Sequence, residues 1–465
     1  MADEVPEPQA PPRHAPATRT TARWSVPGLP ETPVKRWARP LARFLRVEAA
    51  SGIALLACTA LALAAANSRF ADAWHALFHL PVALRVGGFA LDWTLHHWVN
   101  DALMAVFFFV VGLEIKREFV AGELSEPKKA ALPIFAALGG MVVPAAIYLS
   151  LQMGQPGERG WGIPMATDIA FVVGCMALLG PRVPHGLKIL ILALAIVDDI
   201  GAILVIAVGY SAAIEPGPIA AAAVGFGLCA LFNRIGVRPV GVYVGLGAGI
   251  WLAFVLSGLH PTVAGVLLGL LTPANAFVSP DRFGDSLTRA AEELRAAQSL
   301  SEEERHDLAR ALESTVRESV SPLERLELLL HPWVAFGIMP LFALANAGVR
   351  IDTSELLHPV EVAVAAGLVL GKPIGVLLAS AVTVKLGLAR LPAGVSWPVL
   401  AGGGCLAGIG FTMALFIAGL ALEGGLLEAA KIGILAGSTI SALLGALLLV
   451  LFLPRGPAPA PPAEG

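Results

Sequence analysis

The sequence predicts an all-α, polytopic membrane protein, and three observations carry that prediction. Of 465 residues, 56% are hydrophobic and 14% charged, with mean hydropathy +0.74; a soluble domain carries about 25% charged residues. Apolar runs near the length that spans a bilayer, about 20 residues, recur through the chain and give about twelve spans. Finally, Asp168, Asp198 and Asp199 lie inside two of those runs. An aspartate at mid-membrane costs about 2.5 to 3.5 kcal/mol and marks an ion or proton pathway by default. A net charge of −3 and a pI near 6.4 argue against nucleic acid as a partner.

Residues 1–46 are rich in Pro, Arg and Ala and lack the apolar core of a signal peptide; they read as a disordered tail with no cleaved signal. The membrane region 47–273 holds eight spans, at 47–67, 95–115, 130–151, 163–179, 186–210, 217–233, 239–257 and 261–273. Between the first two, 81–93 is two short β-like runs about Gly87-Gly88, which predicts a β-hairpin. The segment 274–330 is charged and rich in Ala and Leu. Ser301 followed by Glu304 forms a capping box, so the segment reads as a helical insert with a solvated face. Four more spans, at 331–348, 360–385, 397–421 and 428–452, fill 331–453, and 454–465 is a second Pro/Ala-rich tail. Placing the N-terminal tail in the cytoplasm puts 26 of the 32 Lys and Arg on the inner side and five outside, with Lys372 within a span. This asymmetry sets both termini inside and the hairpin outside. The four cysteines all lie in apolar runs without paired spacing and read as small core residues.

Two of the spans are built to break. Pro164 and Thr167-Asp168 interrupt the fourth, and Gly402, Gly403, Gly404, Gly408 and Gly410 crowd the eleventh ahead of Thr412. Glycine in a helix interior costs about 1 kcal/mol relative to alanine. Close helix packing is one use for such glycines; interrupted spans in two halves of a chain also mark transporter sites. Broken helices leave partial charges at mid-membrane, which Asp168 and Lys372 are placed to offset.

Asp198 and Asp199 are adjacent and point about 100° apart on a helix. A hard cation such as Na+ or Li+ requires oxygen ligands, which carboxylates, Thr hydroxyls and backbone carbonyls supply. Protons bind the same oxygens, and two neighbouring acids titrate as a unit. Competition at one site, opened alternately to each side, suffices for exchange. Lys372 lies too deep to reach the interface; one of the aspartates is its partner, as a salt bridge or in proton transfer. Glu114, Arg117 and Glu118 end the second span, and Glu324 and Glu327 precede His331. These are solvated anchors or a charge cluster that senses pH. Asp101 and His260 read as helix-end residues.

Several segments resemble the signatures of the NhaA-type sodium/proton antiporters: Ala166-Thr-Asp168-Ile-Ala-Phe, Leu194-Ala-Ile-Val-Asp198-Asp199-Ile-Gly-Ala-Ile, Gly371-Lys-Pro-Ile-Gly and Gly408-Ile-Gly-Phe-Thr-Met. Asn100-Asp-Ala-Leu-Met-Ala-Val-Phe-Phe, Val111-Gly-Leu-Glu-Ile-Lys-Arg-Glu and His331-Pro-Trp-Val-Ala are similar too, and the matches run in order from about 47 to 452. The link between broken helices and transport sites was itself drawn partly from this family. The resemblance implies crossed, unwound fourth and eleventh helices in an inverted-repeat core, with Gly408, Gly410 and Thr412 in the unwound eleventh. It implies that Asp198 and Asp199 bind the cation and carry protons, with Thr167 beside them. Asp168 and Lys372 would compensate helix dipoles, and Glu114, Arg117, Glu118 and Glu327 would form the pH-response cluster. It further implies electrogenic export of Na+ or Li+ against inward protons across a bacterial cytoplasmic (inner) membrane, without a cofactor, by a homodimer joined through the external hairpin. The long tails and the 279–326 insert beside Glu327 depart from the family pattern. Two enzyme-like or pump-like alternatives fit less well. An intramembrane aspartyl protease would need a Gly-x-Gly-Asp stretch, and a retinal pump with Lys372 as its Schiff base needs about seven spans. A sodium-coupled symporter of a small solute is the nearest rival.

Overall fold

The computed structural model describes residues 48–86, 89–211, 214–237, 239–276, 280–296, 301–350 and 357–453. The expected tails, 1–46 and 454–465, and the Gly87-Gly88 turn lie outside the described residues. Helix α1 (Glu48–Ala66) is followed after a 119° bend by the short α2 (Ala71–Phe78), an element not expected from the sequence. The bend is stabilised locally: Asn67 Nδ2 donates to the carbonyl oxygens of Leu63 and Val349, and Ser68 Oγ accepts from Phe70 N–H. Strands β1 (Pro81–Val86) and β2 (Phe89–Thr94) pair antiparallel from Pro81↔Thr94 to Val86↔Phe89. The Trp98 indole donates to Val82 O at 2.8 Å, and Trp93, Trp98 and Trp251 cluster at the base of the hairpin.

Helix α3 (Leu95–Ala121) contains a π-helical stretch at Trp98–Leu103, and α4 (Pro127–Gln152) begins with Pro127, where a missing N–H costs nothing. A tight 3-10 segment, Glu158–Met165, leads through the extended Ala166–Asp168 into α5 (Ile169–Leu179). Then come α6 (His185–Gly209), α7 (Pro216–Arg234), α8 (Val240–Ser257) and the short α9 (Pro261–Leu271). Two charged helices, α10 (Pro280–Ala296) and α11 (Glu302–Glu318), make up the insert. Helix α12 (Pro322–Asn346) starts nine residues before His331, so Glu327 lies within the helix that forms the ninth span. Helix α13 (Pro359–Lys385) carries a π-helical turn at Gly367–Gly371. Helices α14 (Trp397–Ala407) and α15 (Phe411–Ala421) meet at 45° around Gly408–Gly410, and α16 (Gly424–Phe452) closes the bundle.

Among the described residues, nine single helices are long and apolar enough to cross a bilayer, α1–α2 and α14–α15 are bent pairs, and α9 is a shorter apolar helix. Hydrophobic side chains such as Leu178 (77% exposed) and Val208 (85%) cover the outside of these helices, as hydrocarbon requires. Packing inside is tight enough to bring backbones together. A Cβ at Gly375 of α13 would stand 2.1 Å from Gly139 O of α4, and one at Gly139 would stand 2.3 Å from Gly375 O. Only glycine permits that contact, which is how membrane helices gain packing energy where no hydrophobic drive exists between them. Helices α7 and α8 enclose a separate small core around Ala222, Cys229, Ile250 and Phe254.

Candidate functional site

The break in the fourth span touches the break in the eleventh. Asp168 N–H donates to Ile409 O at 2.7 Å, and the Thr167 hydroxyl lies 2.8 Å from Ala407 O. Two carbonyls freed by the α14–α15 break are thereby satisfied by the extended chain opposite, as burial demands. The Asp168 carboxylate serves both halves. Its Oδ1 accepts from Phe171 N–H in the first turn of α5 (3.2 Å), and its Oδ2 accepts from Thr412 N–H in the first turn of α15 (3.0 Å) and from the Thr412 hydroxyl. One negative charge thus caps two helix N-termini, each with a positive partial charge.

Lys372 performs the complementary task. Its ammonium donates to Met165 O, at the C-terminal end of the 3-10 segment, and to Asp198 Oδ2 at 2.7 Å. The lysine is wholly buried. The structure therefore resolves which aspartate the lysine pairs with. Asp198 Oδ2 also lies 2.7 Å from the Thr167 hydroxyl. A hydroxyl has a single proton, so Thr167 donates either to Asp198 or to Ala407 O. A proton on Asp198 completes the set: Asp198 then donates to Thr167, and Thr167 to Ala407.

Asp198 Oδ1 and Asp199 Oδ1 are buried and have no hydrogen-bond partner among the described residues. Both aspartates are at most 3% exposed. Two unpartnered carboxylate oxygens on adjacent residues of α6 are of the ligand type that a hard monovalent cation takes. Gly408 and Gly410 allow the close passage here: a Cβ at Gly408 would stand 2.4 Å from Leu368 O, and one at Gly410 3.0 Å from Ala166 O.

The acidic and basic residues at the end of α3 form a second cluster. Arg117 pairs with Glu327 across to α12 and stands 4.0 Å from Glu118 Oε1. His331 Nδ1 lies 3.9 Å from Glu114 Oε1, and Glu118 Oε2 accepts from Glu123 N–H. Asp101 and His260, read singly from the sequence, belong together: Asp101 lies 2.9 Å from His97 Nε2 and 3.6 Å from His260 Nε2. Sequence reasoning also missed an amide network, in which Asn346 Nδ2 donates to Asn100 Oδ1 and Asn346 Oδ1 meets His96 Nε2. It missed Ser438 and Ser441 as well. For Ser441 the signal was the recurrence of small residues every fourth position, Gly433, Gly437, Ser441 and Gly445.

Residues 42–449 match the family model described as Na+/H+ antiporter 1. The chain belongs to that family. It is 53% identical over 427 residues to the Na(+)/H(+) antiporter NhaA of Rhodopirellula baltica, covering 92% of this chain and 97% of the relative. The NhaA protein of Rhizobium meliloti is 50% identical over 428 residues, covering 92% and 98%. The NhaA 1 protein of Acidiphilium cryptum is 49% identical over 427 residues, covering 92% and 95%. Membership in this antiporter family makes the chain a transporter rather than an enzyme, and its apolar helices make it a multi-pass membrane protein.

Proposed function

We propose that the protein exports Na+ (or Li+) in exchange for protons by alternating access, with cation and protons competing for Asp198 and Asp199. The observation that carries this reading is the pair of buried carboxylate oxygens without hydrogen-bond partners, set beside Lys372 and Thr167 where two helix breaks meet. With Na+ bound, the ionised carboxylates and the Thr167 hydroxyl supply oxygen ligands. With protons bound, Asp198 donates through Thr167 to Ala407 O, and Lys372 keeps its hold on Met165 O. Because either ligand neutralises the same acids, the site is never left doubly charged and empty as it changes sides, and this forces exchange.

The crossing of the two broken spans and their inverted-repeat relation belong to this proposal, since an alternating site needs two elements that rock about it. The cation excess of the inner loops supports cytoplasmic termini in a bacterial inner membrane. The hairpin β1–β2 then lies outside, where two strands gain by pairing with those of a second copy. The Arg117–Glu327 pair and its neighbours on α3 and α12 are the proposed pH-response cluster. Transport is electrogenic when the two acids release two protons per Na+.

The test is release of a preformed ΔpH by Na+ in everted vesicles. Asp199→Asn is expected to abolish it, and near-normal exchange in that variant would refute the site assignment. A requirement for an added solute would instead favour the sodium-coupled symporter.

A further inference from the structure

Helix α16 contributes no charge to the ion site, yet it touches the α14–α15 break and the π-helical turn ahead of Lys372. Gly433, Gly437, Ser441 and Gly445 form one ridge along it, since residues four apart lie on one face. A Cβ at Gly433 would stand 2.6 Å from Glu361 O, and one at Gly437 3.1 Å from Ala365 Cα, both on α13. A Cβ at Gly445 would stand 2.9 Å from Leu406 N on α14. The ridge therefore fills the seam between α13 and α14, and two buried hydroxyls leave it for the backbone opposite.

Ser438 Oγ accepts from Phe411 N–H, the first amide of α15, at 3.3 Å. That amide has no partner within its own helix. Ser441 Oγ donates to Leu368 O at 3.4 Å, in the π-helical turn ahead of Lys372. In a π ladder that carbonyl would be bonded by residue 373, which is proline and has no N–H. Gly408 faces the same point, for a Cβ there would stand 2.4 Å from Leu368 O and 2.8 Å from Ser441 Oγ. Both serines are at most 6% exposed.

We infer that Ser438 and Ser441 are positioning residues that set the affinity of the ion site without touching the ion. Ser438 fixes Phe411, hence the neighbouring Thr412 and, through it, Asp168. Ser441 fixes the π-helical turn that delivers Lys372 to Asp198. The inference rests on the antiport reading above. It makes α16 a brace that holds the lysine-bearing helix and the broken helix in one register.

The experiment compares half-saturating Na+ and maximal rate of ΔpH release in everted vesicles, with transporter content matched. Ser438→Ala and Ser441→Ala are each expected to raise half-saturating Na+ roughly three- to tenfold, the scale of one lost buried hydrogen bond, at little cost in maximal rate. A merely structural role would lower transporter content or maximal rate and leave half-saturation unchanged. Ser438→Thr keeps the hydroxyl and is expected to restore the parental value, whereas its isostere Ser438→Val is not; this pair decides the matter where Ser438→Ala does not accumulate. Ser380→Ala is the control, since Ser380 is buried on α13 and its Oγ has no hydrogen-bond partner among the described residues. Unaltered half-saturation in both alanine variants, or an equal rise in Ser380→Ala, overturns this inference alone. No Na+-driven release by the unmutated protein overturns the antiport reading and this inference with it.

Discussion

At the scale of single residues, the site is defined by how few protons Thr167 has to give. It stands 2.7 Å from Asp198 Oδ2 and 2.8 Å from Ala407 O, both acceptors while Asp198 is ionised. One of those contacts is then unsatisfied, and protonation of Asp198 or arrival of a cation relieves it. Thr167→Val removes the hydroxyl at nearly constant shape and is expected to raise half-saturating Na+ about tenfold, the scale of a hydrogen bond to a charged group. Thr167→Ser is expected to stay within about twofold of the parent. Equal half-saturation in the two variants would show that the hydroxyl takes no part. The residue types at this site were readable in the sequence because Asp168, Asp198, Asp199 and Lys372 stand out against apolar neighbours. Their pairing was not readable: which acid faces Lys372 depends on the rotational phase of α13 against α6, which linear order does not encode. Ser438 and Ser441 stayed hidden for a different reason, since a serine in a membrane helix usually bonds its own backbone.

At the scale of elements, glycine decides where helices touch and where they break. The breaks at Ala166–Asp168 and Gly408–Gly410 were foreseeable because Pro, Thr-Asp and clustered Gly interrupt an apolar run. The bend into α2 was not, since Ala71–Phe78 is too short and mixed to show a period. The early start of α12 was obscured by Glu324-Arg-Leu-Glu327, which reads as a helix edge by charge although Ser321 caps the helix by accepting from Glu324 N–H. The α4–α13 contact gives a direct test of the packing. Gly375→Ala places a methyl 2.1 Å from Gly139 O with backbone on both sides, and overpacking of this kind costs about 1–3 kcal/mol. Gly245→Ala on α8 meets nothing within 4 Å, and in a helix alanine gains about 0.5–1 kcal/mol over glycine. Thermal unfolding in detergent is expected to show Gly375→Ala melting below the parent and Gly245→Ala at or above it. The reverse order would mean that α4 and α13 do not meet at these glycines.

At the scale of the whole molecule, the membrane bundle closes without its insert. Leu323 N–H donates to Pro273 O at 3.2 Å, and both Leu323 and Ser321 are at most 3% exposed, so the chain leaves α9 and enters α12 at one point. Between those ends, 280–296 and 301–318 carry ten acids against six arginines, a net negative charge joined to the helix that bears Glu327. Such a charge concentrates protons nearby, within a Debye length of about 8 Å at physiological salt, and protons compete with Na+ at the aspartates. Replacing 277–318 with a short Gly/Ser linker adds little loop-closure entropy and removes that charge. The shortened protein is expected to accumulate in the membrane and keep half-saturating Na+ within about twofold at alkaline pH. The pH of half-maximal rate is expected to move to lower pH by a few tenths, because fewer protons gather at the mouth, and the shift should vanish at high salt. Loss of exchange in a normally accumulating deletion would instead make α10 and α11 part of the transport machinery.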